Sequence, residues 1–389
     1  MKTVLLGDVC EKITDGAHWS PKSTDSGFPM ASVKDMSEDG INLTGCRKIS
    51  EGDYKKLVDS GCKPLTNDIL IAKDGSYLKE LFVWRRSDLD VALLSSIAIL
   101  KPDLSVVDPD FLVYYIKNQR DNYDLSQYVS GAAIPRIILK NFARMPIVLP
   151  DLPVQKKVTN ILRRIDKKIE LNRRMNETLE QIGQALFKHY FIDSPEAKTW
   201  PKGKVEDLVR VLSGFAFKGT SFDADGRFGL VTIKNVQDGA FVSACTDFLK
   251  ELPPNMPDYC NLLSGDILLS LTGNVGRVCS VTGENLVLNQ RVAKLEPAPQ
   301  SNKAFVYFMF RRLEIKDKLI SISRGTAQMN LSPVETKKLP IFIPPESVIR
   351  EFGEVANGLY KNLVANNIEN IDLIDLRDSL LPRLISGKL

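Results

Sequence analysis

The chain has 389 residues, 43% hydrophobic and 26% charged, with 52 Lys+Arg against 48 Asp+Glu and a formal net charge of +4. Those proportions fit a globular protein of two or three domains and exclude a disordered chain or one built on membrane-spanning helices. The charge permits nucleic-acid binding without requiring it, and only two histidines, His18 and His189, leave little for metal-dependent or histidine-based catalysis.

In chain order, Met1–Asp8 offers three apolar residues before an acid, too short for a signal-peptide core. The six cysteines (Cys10, Cys46, Cys62, Cys245, Cys260 and Cys279) lack C-x-x-C or metal-ligand spacing and read as reduced thiols. Both features predict a cytoplasmic protein. Residues 1–150 form a first module, with strands over Ile69–Ala72, Leu81–Trp84 and Val91–Leu100 and an amphipathic helix over Pro109–Arg120. From Pro153 the apolar period lengthens to about three and a half. Val154, Val158, Ile161, Ile165, Met175, Leu179, Ile182 and Leu186 mark a seam running to about Tyr190, which predicts a long helix over 151–192. Asp193-Ser194-Pro195-Glu196-Ala197 then reads as a helix stop within a connector, 193–200. His189, at the end of the stripe, reads as structural.

Residues 201–344 say nearly the same thing again. Strands are predicted over Ile267–Leu271, Val278–Val281 and Val287–Leu295, with a helix over Ala304–Lys318. Val33-Lys34-Asp35-Met36 returns as Ile233-Lys234-Asn235-Val236, 200 positions on. Asn67-Asp68-Ile69-Leu70-Ile71 returns as Gly265-Asp266-Ile267-Leu268-Leu269, 198 on, and Met145–Pro150 as Leu339–Pro344, 194 on. A last helix is predicted over 345–389, its seam at Val348, Phe352, Val355, Leu359, Glu369, Leu373, Leu376 and Leu380. Mixed strands and short helices without βαβ alternation define an α+β fold.

The seams break at matching points, Lys168 and Asn172 in one helix and Asn362 and Asn366 in the other. In an antiparallel pair these polar residues would meet, fixing register at some cost in stability. Residues 153–190 carry nine Lys/Arg against four Asp/Glu, while 345–389 carry five against seven, which favours pairing of the two helices with each other.

Catalytic motifs are missing. There is no G-x-x-x-x-G-K-[ST] loop and no G-x-G-x-x-G opening a helix after a strand. Asp68 with Lys73 is the nearest approach to a nuclease site, but Leu271 stands at the repeat position, so Asp68 and Asp266 read as strand-start or turn residues.

Several segments together resemble the specificity subunit of type I restriction–modification enzymes. Ile13-Thr14-Asp15-Gly16-Ala17-His18-Trp19-Ser20-Pro21 is similar to that family's I-T-D-G-x-H-x-x-P element, and Ser213-Gly214-Phe215-Ala216-Phe217-Lys218 to its G-x-A-F-K variant. The block from Gly265 to Arg277, Leu288-Asn289-Gln290-Arg291-Val292, Gly325-Thr326-Ala327-Gln328 and the ending Leu381–Leu389 are likewise similar. The first module departs from it, with Gly131-Ala132-Ala133-Ile134 in place of Gly325–Gln328. The resemblance spans the whole chain. It implies two target-recognition domains, 1–150 and 201–344, joined by an antiparallel helical coil, and a non-catalytic protein that reads a bipartite sequence in double-stranded DNA. It further implies two methyltransferase subunits docked on the helices and restriction–translocation subunits beyond them, with S-adenosylmethionine, ATP and Mg²⁺ on those partners.

Base readout needs forked or amide side chains on loops, with Lys and Arg on phosphates. The first module offers His18, Lys34, Lys73, Ser76 and Arg136, and the second Lys218, Lys234, Thr272, Asn274, Arg277, Arg324 and Gln328. Lys34 and Lys234 recur, which favours a phosphate contact or a structural role. Arg163-Arg164 and Arg173-Arg174 lie off the seam, where they would dock partners, face phosphates or remain solvated. Two other classes would fit parts of the pattern: a coiled-coil scaffold joining two protein-binding modules, separated by salt-dependent DNA binding, and a self-contained DNA enzyme, separated by activity of the chain alone.

Overall fold

The computed structural model describes residues 2–37, 40–75, 78–86, 88–131, 134–325 and 329–387. The chain divides into two compact units, Met1–Lys167 with Ile374–Leu389, and Lys168–Leu373.

In the first unit an antiparallel four-stranded sheet runs in the order Cys10–Asp15, Ile97–Pro102, Ile69–Ala72, Leu81–Val83. In the second the order is Val209–Ser213, Val292–Pro297, Ile267–Ser270, Val278–Ser280. Register agrees as well: Ala98 faces Asp15 and Ile71, and Ala293 faces Ser213 and Leu269. A further sheet in each unit pairs two strands in parallel, Phe28–Ala31 with Ala92–Leu93 and Phe228–Val231 with Leu286–Leu288. Lys2–Leu5 closes on Pro146–Leu149, as Lys202–Lys204 closes on Pro340–Phe342.

The same local chemistry starts each element. Asn67 and Gly265, at φ of 77° and 83°, turn the chain before Asp68 and Asp266. That left-handed conformation suits glycine and is tolerated by asparagine. The two aspartates then accept from the backbone N–H groups of Leu65 at 2.8 Å and Leu263 at 2.9 Å, so they are turn residues as the sequence implied. Asp108 caps the helix Pro109–Asn122 by accepting from Phe111 N, and Asn302 caps Lys303–Phe310 by accepting from Phe305 N.

Two predicted strands and one helix are split. Val91–Leu100 becomes Ala92–Leu93 in one sheet and Ile97–Pro102 in another, and Val287–Leu295 divides likewise at Val292. Most residues of these runs are buried whichever sheet they join, so the apolar pattern carries no mark of the change. Ala304–Lys318 becomes Lys303–Phe310 and Leu313–Ser321, because Arg312 is extended at φ −72°, ψ 140°. The residues Ala304–Phe310 are all buried, and the chain leaves the core where the two arginines follow.

The long helices are Leu152–Lys188 and Glu346–Ile385. In the first unit Val158 and Leu162 share a core with Leu381, Leu384 and Ile385, and Arg377 Nη1 bonds Asp166 Oδ1 at 3.0 Å. In the second, Asn172 meets Asn370 and Asn176 meets Asn366 and Asn367, so the helices run antiparallel. Half of the predicted seam of the first helix holds: Val158 and Ile165 are buried, and Leu179 and Leu186 pack against the core. Leu162, Ile169, Asn172 and Phe187 are buried, while Val154, Ile161, Met175 and Ile182 are exposed. In the second helix Phe352 is buried and Val348, Leu359 and Leu380 pack against the cores as predicted, Val355 and Leu376 are exposed, and Ala356, Tyr360 and Leu363 are buried beside them. The polar layer also differs: Asn362 is exposed, and Asn176, Asn367 and Asn370 join Asn172 and Asn366. The first long helix ends in a wide turn, His189–Asp193, before Pro195, with His189 edge-on to Tyr190. Phe187, Phe191, Phe305, Phe308 and Phe352 pack together in the second unit's core, Phe191 and Phe305 at 5.0 Å between ring centres.

Candidate nucleic-acid interface

In the first unit the strand Cys10–Asp15 runs into Gly16, where a Cβ would stand 2.2 Å from Leu93 O, so only glycine fits. Asp15 turns inward, its side chain 7% exposed, with Oδ2 2.9 Å from Lys73 Nζ and Oδ1 3.0 Å from His18 Nε2. Lys73 is therefore a mostly buried support under His18, its side chain 10% exposed. His18 itself is 76% exposed. Ser96 joins the next loop to this group: its carbonyl accepts from Lys73 N, and its hydroxyl accepts from Val33 N, beside the exposed Lys34. Arg136, exposed, pairs across a short bridge with Asp74, and Gly75 N donates to Pro135 O at 2.8 Å. The structure thus gathers His18, Lys34, Lys73 and Arg136 around one sheet end. Ser76 lies outside the described residues.

In the second unit Lys234 sits on a turn built as in the first. Thr232 N donates to Asn235 Oδ1 at 2.9 Å, where Ser32 N donates to Asp35 Oδ2 at 2.9 Å. Gln237 Nε2 donates to Lys234 O at 2.8 Å, and Gln237 Oε1 accepts from Arg277 Nη1. Ser270 Oγ accepts from Arg277 N and donates to Asn274 O, holding the turn that carries Thr272 and Asn274. Thr272 Oγ1 donates to Asn330 Oδ1 at 3.1 Å, and Arg324 N donates to Asn330 O at 2.9 Å. Lys234, Thr272, Asn274, Arg277 and Arg324 are so brought into one patch. Lys218 stands exposed on a separate turn, Gly219–Ser221, and Gln328 lies outside the described residues.

Sequence reasoning missed Asp15, Gln237 and Asn330, the side chains that hold the others. Asp15 was marked by its place in the I-T-D-G-x-H-x-x-P element, Gln237 and Asn330 only by position beside the repeated strands. It also missed the anchor behind the second patch, where Asp238 accepts from Arg311 and Lys316, and Glu180 of the first long helix accepts from Arg311 Nε at 3.1 Å and Tyr307 OH at 2.8 Å. Burial, then the Glu180 charge, pushes the Tyr307 hydroxyl well up, keeping it a donor. On the helices Arg163 pairs with Asp110 at 3.2 Å and Arg174 with Glu170 at 2.6 Å. Among the described residues no three His, Cys, Asp or Glu side chains converge to hold a metal ion, and no helix is long and apolar enough to cross a membrane.

One α+β module built twice, with cations and amides collected on loops at corresponding sheet ends, defines a duplicated recognition protein. The family model of the type I restriction modification DNA specificity domain matches residues 1–181 and again 197–351. The HindI specificity subunit of Haemophilus influenzae is 26% identical over 419 residues, spanning 87% of this chain and 88% of that one. The MjaIX specificity subunit of Methanocaldococcus jannaschii is 24% identical over 303 residues, spanning 72% and 69%. The crystal structure of a type I restriction–modification S subunit from M. genitalium shares the fold, with a TM-score of 0.59 at 16% identity over 98% of this chain and 95% of that one. The chain belongs to the family of type I restriction–modification DNA specificity subunits. Its part in such a system is DNA sequence recognition, and catalysis lies in partner subunits.

Proposed function

We propose that the chain reads an asymmetric bipartite target in double-stranded DNA, one half-site per unit, with the unread interval set by the long helices. The observation that carries this reading is that two units share one backbone and register but present different loop side chains, such as Thr272 and Asn330 where the first unit has Asp74 and Arg136. Equal scaffolds with unequal surfaces suit two unequal half-sites, since base edges are read by side chains and not by fold. Two methyltransferase subunits dock on the helices, where Ile161, Leu171, Met175 and Ile182 leave apolar surface exposed, and restriction–translocation subunits join them. S-adenosylmethionine, ATP and Mg²⁺ belong to those partners, and the complex works in the cytoplasm.

The test is long-read mapping of methylated adenines across the host genome, with and without this chain. An asymmetric, gapped motif that vanishes on deletion is the expected result. A motif that persists without the chain overturns the reading.

A further inference from the structure

Backbone hydrogen bonds align the two units position by position around the first strand. Gly16 N donates to Ile97 O as Gly214 N does to Val292 O, and Ala17 N donates to Leu93 O as Phe215 N does to Leu288 O. Lys73 N donates to Ser96 O as Leu271 N does to Arg291 O, and Lys73 O and Leu271 O accept from Ile137 N and Leu331 N. On this shared backbone the first unit carries Asp15, His18 and Lys73, where the second carries Ser213, Ala216 and Leu271. All three differ together.

The second unit shows that the strand, the glycine crossing and the turn form without any of these charges. A buried ion pair adds little net stability over neutral side chains of similar size, so the Asp15–Lys73 pair, 7% and 10% exposed, is not what makes the first unit fold. What the pair does accomplish is geometric. Lys73 takes one carboxylate oxygen of Asp15, and the other takes His18 Nε2, which tethers one nitrogen of a ring that is otherwise 76% exposed. In the second unit the same loop presents another exposed nitrogen donor, Lys218, two residues beyond Ala216. A donor supplied on one loop by different residues in two modules suits a task independent of the bases read, and contacts to DNA phosphates are of that kind.

We propose that Asp15 is a positioning residue which, itself held by Lys73, aims the imidazole of His18 at a backbone phosphate of the DNA bound by the first unit. This rests on the DNA reading above. The ring bridges carboxylate and phosphate, Nε2 on the Asp15 side and Nδ1 on the phosphate oxygen, each contact made to a charged oxygen. A ring fixed in this way sets the register of the first unit on its half-site, and Lys218 does the corresponding work for the second.

The experiment uses the chain in complex with its methyltransferase partner, a duplex carrying the mapped motif, and a scrambled duplex as reference. The variants are His18→Ala, the pair Asp15→Ser/Lys73→Leu, which installs residues the second unit already tolerates, and the triple. His18→Ala and the pair are each expected to weaken binding by about tenfold, the order of one charge-assisted hydrogen bond. The loss should be uniform over base changes in the first half-site, with a salt slope smaller by about one. The triple should bind no worse than either, because all remove one contact. A role in folding alone would move the thermal midpoint and leave the salt slope unchanged. Relaxed discrimination at a single base pair, additive losses, or a pair variant that binds like wild type overturns the proposal. Wild-type complex that cannot distinguish the mapped from the scrambled duplex overturns the DNA reading along with it.

Discussion

Asn172 Nδ2 donates to Asn370 Oδ1 at 3.0 Å, and both side chains are buried between the two long helices. A shift of 194 positions turns this pair into its counterpart, in which Asn366 Nδ2 donates to Asn176 Oδ1 at 2.8 Å. The two bonds exchange under the sequence repeat, so the polar layer carries the same duplication as the modules. Asn172→Leu leaves the Asn370 amide unsatisfied and is expected to cost about 1–3 kcal/mol in urea unfolding. Asn172→Leu/Asn370→Leu should regain most of that loss, since it removes the stranded group as well. A single variant as stable as wild type would show that the layer carries no such penalty.

Glu369 reports on the same layer through pH. Hydrogen bonds from Lys168 and then Asn172 hold its carboxyl below the usual carboxylate range. A lowered value in the fold means that the contribution is fully present above the ordinary value of 4.5 and is lost as pH falls through the folded value. Melts of wild type and Glu369→Gln should therefore differ at pH 7 and converge at the acid end. A difference that grows on acidification would reverse the assignment.

Gly16 is constrained by close approach and Gly52 is not. Gly16→Ala drives a Cβ to 2.2 Å from Leu93 O, a backbone atom that cannot swing aside, and is expected to cost about 3 kcal/mol or more. Gly52, near the start of the helix Glu51–Asp59, has nothing within 4 Å of an added Cβ. Gly52→Ala should raise stability by up to about 1 kcal/mol. Thermal melts of the two variants check both signs.

Arg277 is held by Gln237 in the second patch. If it reads a base, Arg277→Ala lowers affinity by about 1–3 kcal/mol and relaxes one position of one half-site. Equal weakening on every sequence with a smaller salt dependence marks a phosphate contact instead. Gln237→Ala should show a weaker form of the same pattern, because it frees the guanidinium without removing it.

The long helices offer a length test. One heptad added to each lengthens it by about 10 Å, which corresponds to about three base pairs of DNA. Methylation mapping should return both half-sites unchanged with a gap longer by that amount, and an unchanged gap would remove the helices as the spacer.

The phase of the helix seam was the least legible feature in the sequence. Val158, Ile165, Leu179 and Leu186 face inward as the heptad predicts, but Val154, Ile161, Met175 and Ile182, spaced as regularly, face solvent, and Leu162, Ile169 and Phe187 take the buried side. Two apolar stripes on one helix carry the same period, and a period does not say which stripe meets the neighbouring helix. A similar blindness hid the breaks within 91–100 and 287–295, where burial on both sides erases alternation.

By itself, the sequence determined the duplication, the order of strands and helices within each copy, the two long helices, and the family. These follow from local chemistry: periods of 2 and about 3.6, turn and cap residues, and short motifs read off neighbouring positions. Only the tertiary structure decided which charges meet. Asp15, His18 and Lys73 converge from segments 58 positions apart, and the Asp68–Lys73 pairing suggested by proximity along the chain gives way to Asp68 with Lys101. The side chain of Lys73 leaves the end of its strand and reaches past the intervening strand Ile97–Pro102 to the acid that ends Cys10–Asp15, and that choice belongs to sheet order and register, which no local pattern records.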